Sequence, residues 1–360
     1  MLLVSDLWPI VFRLATSKNW PPCNEADTIA FLEYANREGL LSLLMADDQL
    51  PEIVTASKPR FRVLDALRCR HGELTSAAAK EFRRAIGDSV FIFFKGADYR
   101  HHLYPSPALR PVADIDVLVQ ADDLKEILGR LADAGYFPKY LGDGAQFAPS
   151  YHEVTVEVRN VGIDIHRRYR QPYREAIDYE GLLRRRIPFE RDGVCGYRLS
   201  PTDAILSHAY AGLTADEFSQ PLIRYVDFYL LLQRYESHLE ECVSRAKEWS
   251  IERSLFGALH VTTKLFPNLP TTAMTSAMSM LLKPSIRHLL VNQVLPDPAN
   301  ERSGHQTGRC RQLWRKFLLI DQTWRTIAFA MYHIYETVVG HIFHLLNRCQ
   351  SKRFPRSLHR

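Results

Sequence analysis

The chain has few cysteines, and their spacing excludes two kinds of site. Its 360 residues include six cysteines, and no two of them form a Cys-x-x-Cys pair. A disulfide framework needs regularly spaced cysteines, and a zinc finger or ribbon needs paired ligands. The sequence shows neither pattern, so we expect reduced thiols and a cytoplasmic location.

Long apolar runs are also missing. The strongest candidate for a membrane span, residues 327–346, is interrupted by His333, Glu336, His341 and His344. A helix that crosses a bilayer needs about 20 predominantly apolar residues. The first six residues lack the basic flank and the long apolar core of a signal peptide. We therefore expect neither a membrane span nor a secretion signal.

The net charge of +5 is unevenly distributed along the chain. Residues 301–360 carry eleven Lys or Arg against three Asp or Glu, which gives +8 and leaves −3 for the remainder. A basic tail of this kind favours an anionic partner such as nucleic acid, an anionic membrane or an acidic protein. A solvated helix face with a frayed end is the alternative.

Two carboxylates stand two residues apart in Asp114-Ile115-Asp116, just before an apolar run at 117–119. Alternate side chains of a strand point to the same face, so both acids share one face and Ile115 takes the other. Two like charges at the end of a buried strand each cost several kcal/mol to desolvate. A divalent cation such as Mg²⁺ is the usual compensation, and solvation at the strand end is the alternative.

A β-prone run at 90–94 ends at Lys95-Gly96. Glycine lets the backbone approach a ligand closely, and lysine supplies a point charge for phosphate oxygens. We therefore predict that this turn contacts a phosphate group, although a Lys-Gly pair also ends many ordinary strands.

A third acid follows in the run Val161-Gly-Ile-Asp164-Ile-His166, where Asp164 and His166 share a strand face. The run at 154–158 also alternates, which predicts a hairpin. A third carboxylate beside the first two would complete a site for two metal ions of the kind that clamps a phosphoryl displacement. The alternatives are a solvent-facing Asp164 and a hydrogen-bonded or surface His166.

The order of these motifs resembles the uncharacterised nucleotidyltransferase family of bacteria, within the DNA polymerase β-like superfamily. The residues that carry the resemblance are Lys95-Gly96, Leu103-Tyr104-Pro105, Arg110-Pro111, Asp114-Ile115-Asp116, Gly135-Tyr136 and Asp164-Ile165-His166. The resemblance covers about residues 88–170 well and extends loosely to about 270. Lys95-Gly96 departs from the Gly-Gly or Gly-Ser that the superfamily usually has at this turn.

The resemblance implies an α+β nucleotidyltransferase fold, with a small mixed sheet and flanking helices. It implies that Asp114, Asp116 and Asp164 are catalytic ligands of two Mg²⁺ ions, with Mn²⁺ as a substitute. The turn at Lys95 and Gly96, together with Arg110, would bind the triphosphate of an NTP, expected to be ATP. The implied reaction moves an NMP group to an acceptor hydroxyl and releases pyrophosphate. The acceptor is open among small molecules, peptides, proteins and RNA.

Helical periodicity and the positions of proline divide the chain further. The predicted regions are an N-terminal helical region at 1–87, a catalytic domain at 88–198, a helical domain at 199–296, and a linker with a basic amphipathic tail at 297–360. Ser200-Pro201-Thr-Asp203 is typical of a helix start.

Four further residues are candidates for contact with a substrate: His166, Arg168, His208 and Arg224. Arg168 belongs to a basic cluster, and short clusters of this kind are most often solvated. His208 and Arg224 fall where the resembled family carries polar residues in its helical domain. Asp227 follows Arg224 by three residues, so a salt bridge on one helical face is the alternative.

Two other functions stay open at this point. One is a catalytically silent nucleotide-binding regulatory protein, which the retention of three clustered acids disfavours. The other is an RNA-directed transferase that uses the basic tail. An RNA affinity that falls steeply with salt would identify the second.

Overall fold

The computed structural model describes residue 11 and residues 24–47, 52–139, 152–170, 174–214, 218–269, 272–295, 315–322, 325–328 and 330–331. The glycines and the proline of residues 140–150 predict a loop there, and this segment lies outside the described residues. Most of the predicted linker and tail at 297–360 lies outside them as well. The four predicted regions and the three boundaries between them stay predictions. No helix in the described part is long and apolar enough to cross a bilayer.

Six strands form one mixed sheet at the centre of the described chain. They are β1 (Phe91–Phe93), β2 (Asp114–Val119), β3 (Glu153–Val158), β4 (Val161–His166), β5 (Ile187–Arg191) and β6 (Val194–Arg198). Their order is β3-β4-β2-β1-β6-β5. The β2–β4 and β1–β6 pairs are parallel, and the other three pairs are antiparallel. A small mixed sheet with flanking helices confirms the predicted fold class.

Helices precede, connect and follow these strands. The first group is α1 (Glu25–Arg37), α2 (Leu41–Met45) and α3 (Glu52–Ile86). The connecting group is α4 (Gly96–His102), α5 (Leu124–Asp133) and α6 (Tyr179–Arg184). The last group is α7 (Pro201–Ser207), α8 (Leu222–Tyr235), α9 (Leu239–Glu248), α10 (Glu252–Leu265), α11 (Thr272–Leu281) and α12 (Pro284–Gln293). As predicted, Ser200 caps α7, and its side chain accepts from the Asp203 backbone N–H.

The two faces of the sheet are buried in separate hydrophobic clusters. On one face, Ile115 of β2 and Ile163 of β4 pack with Phe82 of α3 and with α5. On the other face, Leu118 of β2 joins the larger cluster that α1, α7, α8 and α10 form. Because strand side chains alternate, the acids of β2 and β4 belong to this second face, toward the helices that follow the sheet.

Three elements differ from the prediction. Gly96 begins helix α4 directly after the turn at Lys95, where the sequence predicted only a turn. The sequence before Arg184 predicts a helix from about residue 174, but the helix begins at Tyr179. The β5–β6 hairpin is absent from the prediction. It turns at Asp192-Gly193, whose φ values of 55° and 73° are the left-handed conformations of a two-residue hairpin turn.

Candidate metal and nucleotide site

The acids of β2 and β4 meet because these strands are neighbours and run in the same direction. Asp116 lies opposite Asp164 in the register, and Asp114, the first residue of β2, lies opposite Gly162. Asp116 is buried, Asp164 is half-buried and Asp114 is exposed. The structure therefore brings the three predicted carboxylates together on one sheet face, with Asp114 on the side that solvent reaches.

Asp116 is neutralised by two partners at the same oxygen. The Lys95 ammonium lies 2.6 Å from Asp116 Oδ1, and His166 Nε2 donates to that oxygen at 3.0 Å. Burial by itself would raise the pKa of Asp116, but Lys95 and His166 outweigh burial and hold this pKa well below its usual range. Asp116 is therefore ionised at neutral pH, and its Oδ2 atom is the oxygen left for a further ligand.

The other two acids are crowded by like charges. Thr155 Oγ1 donates to Asp164 Oδ1 at 2.6 Å. Burial nevertheless raises the pKa of Asp164, and the charges of Asp116 and Glu153 add to the rise. Burial also raises the pKa of Asp114, followed by the charges of Asp116 and Asp164. Crowding of this kind disfavours ionised carboxylates unless a cation joins them.

The donor set fits a divalent cation. One potential ligand atom from each of Asp116, Asp164 and His166 lies within 4.8 Å of the others. His166 Nε2 is already bonded to Asp116. Of the oxygens of the three acids, Oδ2 of Asp116, Oδ2 of Asp164 and both oxygens of Asp114 accept no hydrogen bond from the described residues. An all-oxygen set suits a hard cation such as Mg²⁺ or Mn²⁺.

Lys95 and Gly96 form the turn between β1 and α4. Lys95 has a φ of 54°, and its Nζ lies 4.9 Å from the centroid of the Phe94 ring. A left-handed conformation at a residue with a side chain costs about 1–3 kcal/mol and persists only where the surroundings hold it. A Cβ at position 96 would lie 2.7 Å from Val112 Cγ1 and 3.1 Å from Arg110 Nη2. Close packing therefore requires glycine at this position, whatever else binds there.

Arg110, whose predicted partner is the triphosphate, is paired with Asp227 of α8. Arg110 Nε lies 2.9 Å from Asp227 Oδ1 and Nη2 lies 2.7 Å from Oδ2, a bidentate contact. The Tyr104 hydroxyl donates to Asp227 Oδ1 at 2.8 Å, and all three side chains are buried. The alternative considered for Arg224, a salt bridge with Asp227, is therefore not formed among the described residues, because Asp227 is bound by Arg110. Contact between Arg110 and a triphosphate stays a prediction, and it would have to compete with this buried pair.

The two histidine candidates are both buried. His166 is 1% exposed, and its Nδ1 lies 3.3 Å from Glu153 Oε2. His208 follows α7 in a π-helical turn, where Nε2 donates to the Arg224 carbonyl oxygen at 2.8 Å and the ring stacks on Phe228. Burial lowers the pKa of His208 to about 4, so this ring is neutral at neutral pH. His166 therefore belongs to the acid cluster, whereas His208 packs between helices.

The two arginine candidates are half-buried. Neither has a hydrogen bond or ion pair from its side chain within the described ranges. Burial raises the pKa of Asp114, and the charge of Arg224 opposes that rise, so this guanidinium acts on the acid site through its charge. Arg168 adjoins Arg167, whose pKa is lowered by burial and by the charge of Arg168.

Two residues of the site were missed in the sequence. Thr155 binds Asp164, and Glu153 lies beside His166. Both stand on β3, directly across the hairpin from those partners. Cross-strand neighbours in an antiparallel pair have Cβ atoms about 5 Å apart. Counting outward from the turn at Arg159-Asn160 would have identified both residues.

Comparison with known proteins agrees with this geometry. A family model described as an uncharacterised nucleotidyltransferase matches residues 24–267, which is more than half of the chain. The match runs from before α1 to the end of α10 and includes the whole sheet. No match is found among curated proteins.

Proposed function

Because this chain belongs to the uncharacterised nucleotidyltransferase family, we propose that it moves an NMP group from an NTP to an acceptor hydroxyl with release of pyrophosphate. ATP is the NTP we propose first. The observation that carries the proposal is the set of three carboxylates on β2 and β4: Asp114, Asp116 and Asp164. Family membership supports nucleotidyl transfer and divalent-metal use in general terms.

The three carboxylates would hold the metal through the oxygens that lack a hydrogen bond. Asp116 and Asp164 each offer Oδ2, and Asp114 offers its carboxylate from the exposed side. Mg²⁺ or Mn²⁺ bound there neutralises the acids and orients phosphate oxygens. Thr155 and His166 position the carboxylates, since each donates to the other oxygen, Oδ1, of its acid.

The chemical step needs a base and cations from the chain. The acceptor oxygen bonds to the α-phosphorus, the bond from that phosphorus to the bridging oxygen breaks, and pyrophosphate leaves with the electron pair. Asp164, besides holding the metal, helps to remove the proton of the acceptor hydroxyl. The Lys95 ammonium and the Gly96 backbone contact the triphosphate, and Arg224 approaches it from α8. Arg168 and the neighbouring basic residues favour an anionic acceptor.

The first experiment is calorimetric titration of the full chain with ATP, with and without Mg²⁺. We expect binding that requires the metal in the wild type and is lost in Asp114→Asn/Asp116→Asn. Asp122→Asn is the matched control, because Asp122 is an exposed acid outside the site. Circular dichroism establishes that each variant is folded. Binding that ignores both the metal and the double substitution would refute the metal site and favour the regulatory alternative.

Turnover tests the catalytic roles separately from binding. With ATP labelled at the α-phosphate, candidate acceptors are screened for label transfer and for pyrophosphate release. We expect Asp116→Asn and Asp164→Ala to abolish transfer while the protein stays folded. Wild-type turnover in either variant would overturn the assignment. Nucleotide binding without pyrophosphate release for any acceptor would favour the silent protein, and transfer to RNA would favour the RNA-directed enzyme.

A further inference from the structure

Within the described residues, a buried arginine outside the acid cluster has no counterion. Arg100 of α4 is 2% exposed, and its guanidinium makes one hydrogen bond, from Nη2 to the Gly72 carbonyl oxygen at 3.2 Å. Its Nε and Nη1 atoms are buried without a hydrogen-bond partner. An ionised group in such a place is unfavourable unless an anion or further acceptors compensate it.

No carboxylate in the described ranges supplies that compensation. Burial, together with the charge of Arg110, lowers the pKa of Arg100 to about 10, which still leaves the group charged at neutral pH. The acid closest to Arg110 in this region, Asp227, is already bound to Arg110 through both oxygens. The charge of Arg100 therefore remains unbalanced by the described part of the chain.

Helix α3 is adapted to the presence of this guanidinium. Gly72 stands in the middle of α3, where glycine is unfavourable for a helix. A Cβ at that position would lie 2.9 Å from Arg100 Nη2. The glycine is therefore explained by the close approach of Arg100, which indicates that the guanidinium belongs in this buried position.

A small cavity is lined by Arg100 and by its neighbour His101. Arg100 and His101 line it together with Thr75, Ser76 and apolar side chains of α3, α4, β1, β2 and β6. Its volume is about 10 Å³, which is space for one small occupant. The hydroxyls of Thr75 and Ser76 donate to carbonyl oxygens of α3, so they do not donate into the cavity. The available donors are Arg100 Nε and Nη1 and, in one neutral tautomer, the unpaired Nδ1 of His101.

We propose that this cavity binds one monovalent anion of halide size, held by Arg100 and His101. A single negative charge balances the guanidinium, and the small volume favours a small anion over phosphate or sulfate. The cavity lies against Phe93 and Ile115, which pack on the sheet face opposite the acids. The anion site is therefore separate from the proposed metal site, and it stabilises the junction of α3, α4 and the sheet.

The test compares chloride with an anion that is too large for the cavity. Thermal unfolding of the full chain is followed in sodium chloride and in sodium gluconate at equal ionic strength. We expect chloride to raise the wild-type Tm until the effect saturates, and Arg100→Met to lack this chloride-specific rise. Arg84→Met, which removes an exposed arginine, is the matched control and should respond as the wild type does. A wild type without a chloride response, or an Arg100→Met variant that keeps it, would overturn the proposal.

A second measurement does not depend on the variant folding. Crystals of the wild type grown in sodium bromide are measured at the bromine absorption edge. We expect an anomalous peak between Arg100 and His101. A water molecule or an empty cavity at that place would overturn the proposal.

Discussion

The buried pair between Arg110 and Asp227 ties α8 to the segment that precedes β2. Asp227 is 0% exposed and Arg110 is 7% exposed. Removal of one partner from a buried pair leaves the other charge without compensation, which costs about 3–5 kcal/mol. We therefore predict that Arg110→Met lowers the free energy of unfolding by about 3–5 kcal/mol. Tyr104→Phe removes one hydrogen bond to the same carboxylate and should cost about 1.5–3 kcal/mol.

Urea denaturation followed by circular dichroism measures these losses. A double variant separates the cost of an unpaired buried charge from the loss of the contact itself. Arg110→Met/Asp227→Leu leaves no unpaired charge. The free energy of unfolding that it loses should therefore be well below the sum of the losses in Arg110→Met and in Asp227→Leu measured singly. Arg84→Met is the control, because Arg84 pairs with Glu81 at 2.6 Å while its side chain is 73% exposed. An exposed pair of that kind contributes at most about 1 kcal/mol.

Two outcomes would refute this reasoning. One is a loss below about 1 kcal/mol for Arg110→Met, which is the range of an exposed pair. The other is a double variant whose cost equals the sum of the single costs. If Arg110→Met kept its stability and lost ATP binding, Arg110 would be assigned to the triphosphate, as the family resemblance implies.

Two further predictions concern single positions. Thr155→Val removes the hydrogen bond that orients Asp164 and should weaken Mn²⁺ affinity about 10-fold in calorimetry, whereas Thr155→Ser should preserve it. Equal affinities in the two variants would contradict this role. His208 is neutral in the folded protein because burial lowers its pKa from 6.5 to about 4, whereas the unfolded chain binds a proton below pH 6.5. Stability should therefore fall as the pH drops from 6.5 to about 4. His208→Gln should reduce that fall by up to about 3 kcal/mol in urea denaturation, and superimposable pH profiles would contradict the assignment.

The acid face of the sheet was predictable from local alternation. Asp114 and Asp116 flank Ile115, and Asp164 is followed by Ile165, and both isoleucines are fully buried on the opposite face. A period of two determines the face on which each side chain lies, whatever the strand order. That β2 and β4 are neighbours was implied only by the family resemblance, because strand order depends on long-range pairing.

The turn positions of the two hairpins, and hence the partners of their strand residues, were predictable from the sequence. The turn at Arg159-Asn160 has φ values of 53° and 61°, and its position sets the partners of every residue in β3 and β4. Asp192-Gly193 is an equally strong hairpin turn. Pro188 disfavours a strand because proline has no backbone N–H to donate. In the structure β5 is an edge strand, where proline is tolerated because one side of the strand has no neighbour to accept that bond.

The partner of Asp227 was not predictable from helical spacing. Arg224 stands three residues away, whereas Arg110 is 117 residues distant in sequence. A pair at helical spacing on a surface contributes only about 0.2–0.5 kcal/mol, so local spacing is a weak determinant. A bidentate guanidinium with a tyrosine hydroxyl at the same carboxylate is a stronger competitor in a buried place.

Arg224 and Asp227 lie about one turn apart on α8. The cation that acts on the acid site, Arg224, is therefore close to Asp227, the residue through which Arg110 holds this helix. While Arg110 holds Asp227, the charge of Arg224 stays near enough to Asp114 to oppose the rise that burial causes in the pKa of that acid. We therefore predict that Arg224→Met weakens ATP binding without loss of stability, since this side chain makes no hydrogen bond in the described part. Asp227→Asn should lose both stability and ATP binding, because it releases the helix that carries Arg224. Equal effects of the two substitutions on stability, measured beside calorimetric titration with ATP, would mean that Arg224 is part of the packing and not a ligand of the nucleotide.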